Sequence, residues 1–190
     1  SFLDDDDLWL PQKLQVVKEV FSDKSVAYFH NNFLNFNGSV NLDLINKKVA
    51  TLNSNELLKL KISDIKNLAC PMNNSSISVR KYILLNGLDK IRKINGTLDS
   101  LLCLLAYCYN GAIVRYNKIL TLRRIHGLNS STDRLNNYTE WLNNLIKWSK
   151  QIVGDNLVIL DLFSSIECKI PYEYKRKLIS HIEASYLSAK

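Results

Sequence analysis

The sequence has few residues that interrupt secondary structure, with only six glycines and three prolines among 190 residues. So few residues that break helices and strands argue against many short strands joined by tight turns and favour long helices. Hydrophobic residues make up 46% of the chain and charged residues 23%, a composition that excludes a wholly disordered protein. The length is typical of one domain.

Recognisable catalytic motifs are also missing. None of the three histidines, His30, His126 and His181, lies in a nucleophile or zinc motif, and no glycine-rich phosphate loop is present. The acidic run Asp4–Asp7 lacks the alternating ligand spacing of a calcium loop. We therefore predict a non-enzymatic protein with no metal site, no cofactor and no small-molecule substrate.

No segment has the features of a membrane span or a secretion signal. The best candidate, Leu98–Val114, is about 17 residues long, at the short limit for a span, and contains Asp99. The chain opens with acidic residues where a signal peptide would be basic. We predict no transmembrane span and an intracellular protein, cytoplasmic or nuclear.

The four cysteines permit two disulfides in three possible pairings. Cys103 and Cys108 lie in the most apolar segment, where a free thiol behaves as a small hydrophobic group, so we predict reduced thiols. Secretion stays open as the alternative because the chain carries six acceptor sequences for N-glycosylation. These begin at Asn37, Asn73, Asn74, Asn95, Asn129 and Asn137.

One stretch in the middle of the chain, Leu98–Arg124, is apolar on every side in its first half and basic in its second. A segment that is apolar all round must be enclosed by other elements. Asn110-Gly111 indicates either a kink or a boundary between two helices. We predict a central buried helix whose far end emerges into a positive surface.

Helical spacing of apolar residues recurs through most of the remaining sequence. It predicts helices over residues 11–21, 25–34, 54–70, 79–94, 132–154, 157–163 and from Pro171 onwards. In the 79–94 helix, Tyr82, Leu85 and Leu88 are predicted to face inward with Ile83 and Ile91. Val40–Val49 alternates weakly and predicts a short strand or an irregular connector.

These segments together predict an all-α fold, a compact bundle of about seven to nine helices around the central hydrophobic helix. We divide the chain into an acidic N-terminal arm, residues 1–10, and a single helical domain, residues 11–190. The arm is a candidate docking segment for a partner, or its Trp9 folds back on the domain core. Its proposed docking residues are Asp4, Asp5, Asp6, Asp7 and Trp9.

The net charge of +7 comes entirely from the middle of the chain. Residues 1–64 carry a balance of −2, residues 65–150 a balance of +9, and residues 151–190 a balance of zero. A localised basic excess either forms a solvated face or attracts nucleic acid or an acidic protein. The candidate binding residues are Arg80, Lys81, Lys90, Arg92, Lys93, Arg115, Lys118, Arg123, Arg124 and Arg134.

The leading hypothesis is therefore a non-enzymatic helical domain that binds nucleic acid or an acidic protein through its basic middle, as a viral protein or an adaptor would. One alternative is a helical regulator that buries a partner helix in a hydrophobic groove, in the style of Bcl-2 proteins. The other is a secreted helical ligand. The oligomeric state is left open.

Overall fold

The structure is a computed structural model that describes residues 1–38, 42–52, 56–61, 73–125, 138–165 and 168–176. Within these ranges the chain is a mixed α/β protein. The strands are β1 (Leu8–Trp9), β2 (Val26–Phe36), β3 (Leu57–Leu60), β4 (Ile77–Val79) and β5 (Ala112–Arg124). The helices are α1 (Lys13–Val20), α2 (Leu42–Leu52), α3 (Lys81–Asn86), α4 (Leu88–Ile91), α5 (Leu98–Cys108) and α6 (Tyr138–Ser164).

The five strands form one sheet that curls into a half-barrel. Its order is β1-β5-β2-β4, and β3 pairs with a second stretch of β5. The two long strands, β2 and β5, run parallel, whereas β1, β3 and β4 pair antiparallel with them. Three register irregularities interrupt the β2–β5 pairing, and such bulges bend a strand and increase its twist.

The prediction of an all-α bundle is therefore wrong, mainly because the apolar runs of β2 and β5 resemble those of buried helices. Both strands have stretches that are covered on both faces, so that consecutive residues such as Ala27, Tyr28 and Phe29 are all buried. A strand buried on two faces has a continuous apolar run rather than an alternating one. Periodicity alone cannot distinguish such a run from a buried helix.

The central segment is a helix only in its first half. Helix α5 is present as predicted, but it ends at Cys108, and Asn110 follows with a φ of 57°. Gly111 then passes so close to β2 that an added Cβ would overlap the side chain of Ala27. The chain reverses there and continues as β5, so the predicted basic helix over its second half is a strand.

Two further segments also have a different secondary structure from the one predicted. Residues 42–52 form helix α2 instead of a strand or connector, and β3 replaces the start of the predicted 54–70 helix. Of the rest of that helix, residues 62–70 lie outside the described residues. The predicted 79–94 helix is present as α3 and α4, and α6 continues through Gly154 to Ser164.

Helix α5 is the centre of the main hydrophobic core on one face of the sheet. Leu101, Leu102 and Leu105 are fully buried there and belong to the same cluster as Tyr28 of β2 and Ile113 of β5. Burial of each such side chain contributes about 2 kcal/mol. A second cluster forms where the valines and Phe21 of the α1 region pack against β2 and β5.

A disulfide joins Cys108 at the end of α5 to Cys168, with a Cα–Cα distance of 4.0 Å. The amide of the next residue, Lys169, donates to the Cys108 carbonyl over 2.8 Å. Cys103 is buried and lies outside this disulfide. The prediction of reduced cysteines is thus wrong for the 108–168 pair.

No helix within the described ranges combines the length and the hydrophobicity needed to cross a membrane.

Candidate functional site

The acidic N-terminal arm is folded onto its own domain. Leu8 and Trp9 pair with β5 as strand β1, and the Asp4 amide donates to the Ser75 hydroxyl over 3.0 Å. Asp7 is buried, whereas Asp4 and Asp5 stay exposed. Partial burial, then repulsion from Asp7 and Asp6, raises the pKa of Asp4. The aromatic member of the predicted docking arm is therefore part of the sheet, and whether its exposed aspartates bind a partner stays a prediction.

Ser75 lies where the curled sheet brings the arm and β5 together, just before β4. Its carbonyl accepts hydrogen bonds from Trp9 Nε1 at 2.8 Å, from Thr121 Oγ1 at 3.2 Å and from Lys13 Nζ. Asn31 Nδ2 donates to the same Thr121 hydroxyl over 3.0 Å. These polar groups tie separate segments of the chain together inside the fold.

Lys13 is fully buried, which is rare for a lysine. Burial lowers its pKa to about 7, against a smaller opposing effect of the nearby Asp7 carboxylate. Its Nζ lies 4.6 Å from the centre of the Trp9 ring, a cation–π distance. With no exposed surface, Lys13 holds the arm and cannot reach a ligand.

Arg124, a predicted binding residue, is bound within the fold. Its Nε donates to the Asp6 carbonyl over 3.0 Å, and its Nη1 donates to the Gly38 carbonyl over 2.8 Å. The guanidinium also lies 4.7 Å from the centre of the Phe36 ring. These contacts fasten the arm and the turn after β2 to the end of β5.

Arg80 is bound within the fold in the same way. Its guanidinium donates to the backbone carbonyls of Val26 at 2.6 Å, Phe21 at 2.8 Å and Asp23 at 2.7 Å. Arg80 therefore holds the connection between α1 and β2 in place. We refer to Lys13, Arg80 and Arg124 as the fold-bound cations.

Lys90 is paired with acids rather than available for a partner. It forms ion pairs with Asp161 of α6 and with Asp89. The hydrogen bond to Asp161 raises the pKa of Lys90 and lowers that of Asp161. Ion pairs whose acids are exposed contribute little stability, but the one with Asp161 joins α4 to α6.

The predicted binding residues of β5 are all half-buried. Arg115 is half-buried between His30 of β2 and Leu58 of β3 in the strand register. Lys118 is half-buried at the register irregularity, and Arg123 lies 5.9 Å from the Phe33 ring. Arg134 lies outside the described residues.

Among the candidate binding residues that the structure describes, only Lys81, Arg92 and Lys93 are exposed. All three lie in the α3–α4 segment, residues 81–94, in which Lys81 begins α3 and Arg92 and Lys93 directly follow α4. The two helices are nearly continuous through Gly87, whose amide donates to the Ile83 carbonyl over 3.0 Å. A Cβ at Gly87 would overlap Leu105 of the central helix. The absence of a side chain there lets the segment pack closely on α5.

The segment has an inner and an outer side. Ile83 is fully buried, and Leu84, Ile91 and Ile94 pack partly buried against the main core. On the outer side, Leu85 is 60% exposed, Leu88 is 40% exposed and Tyr82 is 37% exposed. These three residues follow one another at intervals of three, so they share one helical face.

We call the exposed residues of this segment the helix surface. They comprise the apolar side chains of Tyr82, Leu85 and Leu88 and the cationic side chains of Lys81, Arg92 and Lys93.

The inward orientation predicted for Tyr82, Leu85 and Leu88 is therefore wrong. A helix that packs on one neighbour buries only the side that faces it, which here carries Ile83, Leu84 and Ile91. The sequence did contain an indication that this side is exposed. Two cations lie on the same helical stripe as two leucines, in the order Lys81, Leu85, Leu88 and Arg92.

The loop that follows the helix surface is firmly held. Asp155 of α6 is fully buried and accepts hydrogen bonds from the amides of Asn95 at 2.8 Å, Gly96 at 2.9 Å and Thr97 at 2.8 Å. Gln151 Nε2 donates to the Asn95 carbonyl over 2.6 Å. The helix surface is thus a fixed feature of the domain, braced by α5 beneath and α6 at its end.

No protein-family model, curated protein or solved structure matches this chain. The function is accordingly inferred from the residues of the site.

Proposed function

We propose that this protein is a non-enzymatic binding protein whose helix surface docks an acidic protein partner. One observation carries the proposal, namely that three exposed apolar side chains and three exposed cations lie within residues 81–93 of the α3–α4 segment. Single exposed apolar residues are normal on any protein, whereas a cluster of them often marks an interaction site.

The charges of the helix surface favour an acidic partner. Lys81, Arg92 and Lys93 are all exposed, and the one acid of the segment, Asp89, is paired with Lys90. Complementary charge at the rim of an interface speeds association and selects among partners. Nearby Arg80 adds positive potential although its guanidinium is bound to backbone carbonyls.

The apolar side chains favour a protein over a nucleic acid. Phosphate contacts use cations and hydrogen-bond donors, whereas Leu85 and Leu88 stabilise a complex only if a partner removes them from water. Aromatic and apolar anchors surrounded by a polar rim are typical of protein interfaces. The basic residues that β5 would offer to a nucleic acid are half-buried and distant in sequence from this segment.

Site-specific photo-crosslinking in an extract of the native source tests the proposal. A photoreactive phenylalanine analogue replaces Leu85, and a second protein carries it in place of Leu14 of α1, which is 58% exposed. The matched control has similar exposure on a different helix. We expect an acidic protein to be captured from position 85 and not from position 14.

Charge reversal decides whether the capture depends on the helix surface. The variant Lys81→Glu/Arg92→Glu/Lys93→Glu should reduce the captured yield at least tenfold, and Lys18→Glu/Lys24→Glu should leave it unchanged. Equal capture from both positions, or yields that charge reversal does not change, would contradict the proposal. A nuclease-sensitive adduct from position 85 would show that the partner is a nucleic acid, which would also overturn it.

A further inference from the structure

The structure separates the glycosylation acceptor sequences into accessible and protected ones. Asn37 and Asn95 are exposed, whereas Asn73 and Asn74 are partly buried. Asn129 and Asn137 lie outside the described residues. A glycan is bulky and hydrophilic, so it fits only an asparagine whose amide nitrogen can reach solvent.

Asn95 has the most favourable geometry of the four. Its backbone amide points inward to Asp155 and its carbonyl accepts from Gln151, so the main chain of the acceptor sequence is fixed. Its side-chain Nδ2 donates to the Lys93 carbonyl over 3.4 Å, a long hydrogen bond and the one it makes to the described part of the chain. A substituent on this nitrogen costs the fold little.

Asn37 lies in the turn after β2, followed by Gly38 with a φ of +66°. Its Nδ2 is positioned to donate to the carbonyls of Phe36 at 3.1 Å and Ile125 at 3.2 Å. A glycosylated amide keeps one N–H, so one of these two hydrogen bonds can persist. The residue as a whole is exposed.

Asn73 and Asn74 are poor acceptors in the folded protein. The Nδ2 of Asn73 is buried, and its Oδ1 accepts from the Ser75 amide over 3.0 Å. The Oδ1 of Asn74 is buried as well. A glycan on either residue would disrupt the segment that carries the buried Ser75 carbonyl.

The disulfide is an independent observation that points to the same compartment. Stable disulfides form and persist where the surroundings are oxidising, which includes the lumen of the secretory pathway. That lumen is also where asparagine is glycosylated. Cys108 and Cys168 are linked across 60 positions of sequence, so the bond forms only when the two segments meet.

We propose that Asn37 and Asn95 carry N-linked glycans and that the chain matures in an oxidising secretory compartment. The donor is an oligosaccharide linked to a lipid through pyrophosphate. Nδ2 forms a C–N bond to the anomeric carbon, the C–O bond to the pyrophosphate breaks, and Nδ2 loses one proton. The lipid pyrophosphate leaves, and no redox change occurs.

Peptide mapping of the full chain, expressed in cultured animal cells behind a cleavable secretion leader, tests this. Enzymatic release of N-glycans converts each modified Asn to Asp, which mass spectrometry locates. We expect Asp at positions 37 and 95, and unmodified Asn at positions 73 and 74. Asn95→Gln should remove one glycan from the protein without changing its thermal midpoint, and Asn37→Gln should remove the other.

A non-reducing gel of the same material shows whether the 108–168 disulfide has formed and thus whether the chain reached the lumen. Disulfide-bonded protein that lacks glycans at both Asn37 and Asn95 would overturn the proposal, and so would a folded product glycosylated at Asn73. A native protein whose intact mass equals that of the polypeptide would also overturn it. Because these readouts involve no partner, they are independent of the proposed docking function.

Discussion

Arg80 and Lys81 are neighbours in sequence, yet they belong to two different regions of the molecule. The Arg80 guanidinium donates three hydrogen bonds, to two carbonyls between α1 and β2 and to that of Val26, the first residue of β2. Lys81 begins the helix surface and is exposed. The basic excess of the middle region is therefore divided between cations that hold the fold and cations that are available to a partner.

This difference shows that charge totals do not locate a binding site. Arg124 and Arg92 are the same residue type in the same basic region, but of these two only Arg124 has its guanidinium bound to backbone carbonyls of the described chain. What distinguishes them is whether the fold brings carbonyl acceptors within reach. We expect substitutions of the fold-bound cations to change stability and substitutions of the helix-surface cations to change binding.

The largest expected effect concerns Lys13 and appears as a dependence on pH. Its pKa is about 7 in the folded protein and near 10.5 when the chain unfolds, so the unfolded state binds more protons between these values. The free energy of unfolding should therefore rise with pH in this window, by about 3 kcal/mol over roughly two and a half pH units above neutrality.

Urea unfolding of Lys13→Met at several pH values isolates this contribution. The variant should lack the rise, so that wild type gains stability relative to it as the pH increases. Lys18→Met, an exposed position on the same helix, serves as the control and should follow the wild-type profile. If the free energy of unfolding depended on pH equally in wild type and Lys13→Met, burial would not lower the pKa of Lys13.

Arg80→Ala should lower the free energy of unfolding by about 3 kcal/mol, because three backbone carbonyls lose charged donors. Arg80→Lys should recover only part of the loss, since an ammonium group cannot reproduce the geometry of the guanidinium. Chemical denaturation measures both values. A loss below about 0.5 kcal/mol, the effect usual for an exposed residue, would remove the distinction between Arg80 and Lys81.

Arg124→Ala should cost about 2 kcal/mol, because the arm and the turn after β2 lose their link to β5. The loss should be local, so amide hydrogen exchange of residues 4–9 should accelerate more than that of α5. Uniform acceleration across both regions would contradict the role of Arg124 as a fastener of the arm.

The smallest expected effect is on the stability of the helix-surface variants. Lys81→Ala, Arg92→Ala and Lys93→Ala should each change the free energy of unfolding by less than about 0.5 kcal/mol, as exposed residues usually do. Thermal unfolding of the three single variants gives the measurement. A larger loss from any of them would place that residue among the fold-bound cations.

The parts of the fold that could be predicted from the sequence are those with an unambiguous signal. Helix α5 could be predicted because Leu101–Cys108 is apolar on all sides and an acid, Asp99, stands in the first turn. The long strands could not, because β2 and β5 are covered on both faces over much of their length and their apolar runs lack the alternation of a half-exposed strand. Their pairing is also non-local and leaves no pattern in either segment alone.

The candidate site could be predicted only in part for a similar reason. Charge identifies Lys81, Arg92 and Lys93 as candidate binding residues, but it identifies Arg80 and Arg124 as candidates equally. The acceptors that bind those two arginines are backbone carbonyls, and a carbonyl carries no signal in the sequence. The apolar half of the helix surface could not be separated from the core, because an exposed and a buried leucine look alike in a sequence.

The dissociation constant of the captured partner for the charge-reversed protein Lys81→Glu/Arg92→Glu/Lys93→Glu, measured beside wild type, tests the role of the helix surface most directly. We predict at least tenfold weaker binding, which corresponds to about 1.4 kcal/mol. An unchanged dissociation constant would contradict the claim that the helix surface is where this protein binds its partner.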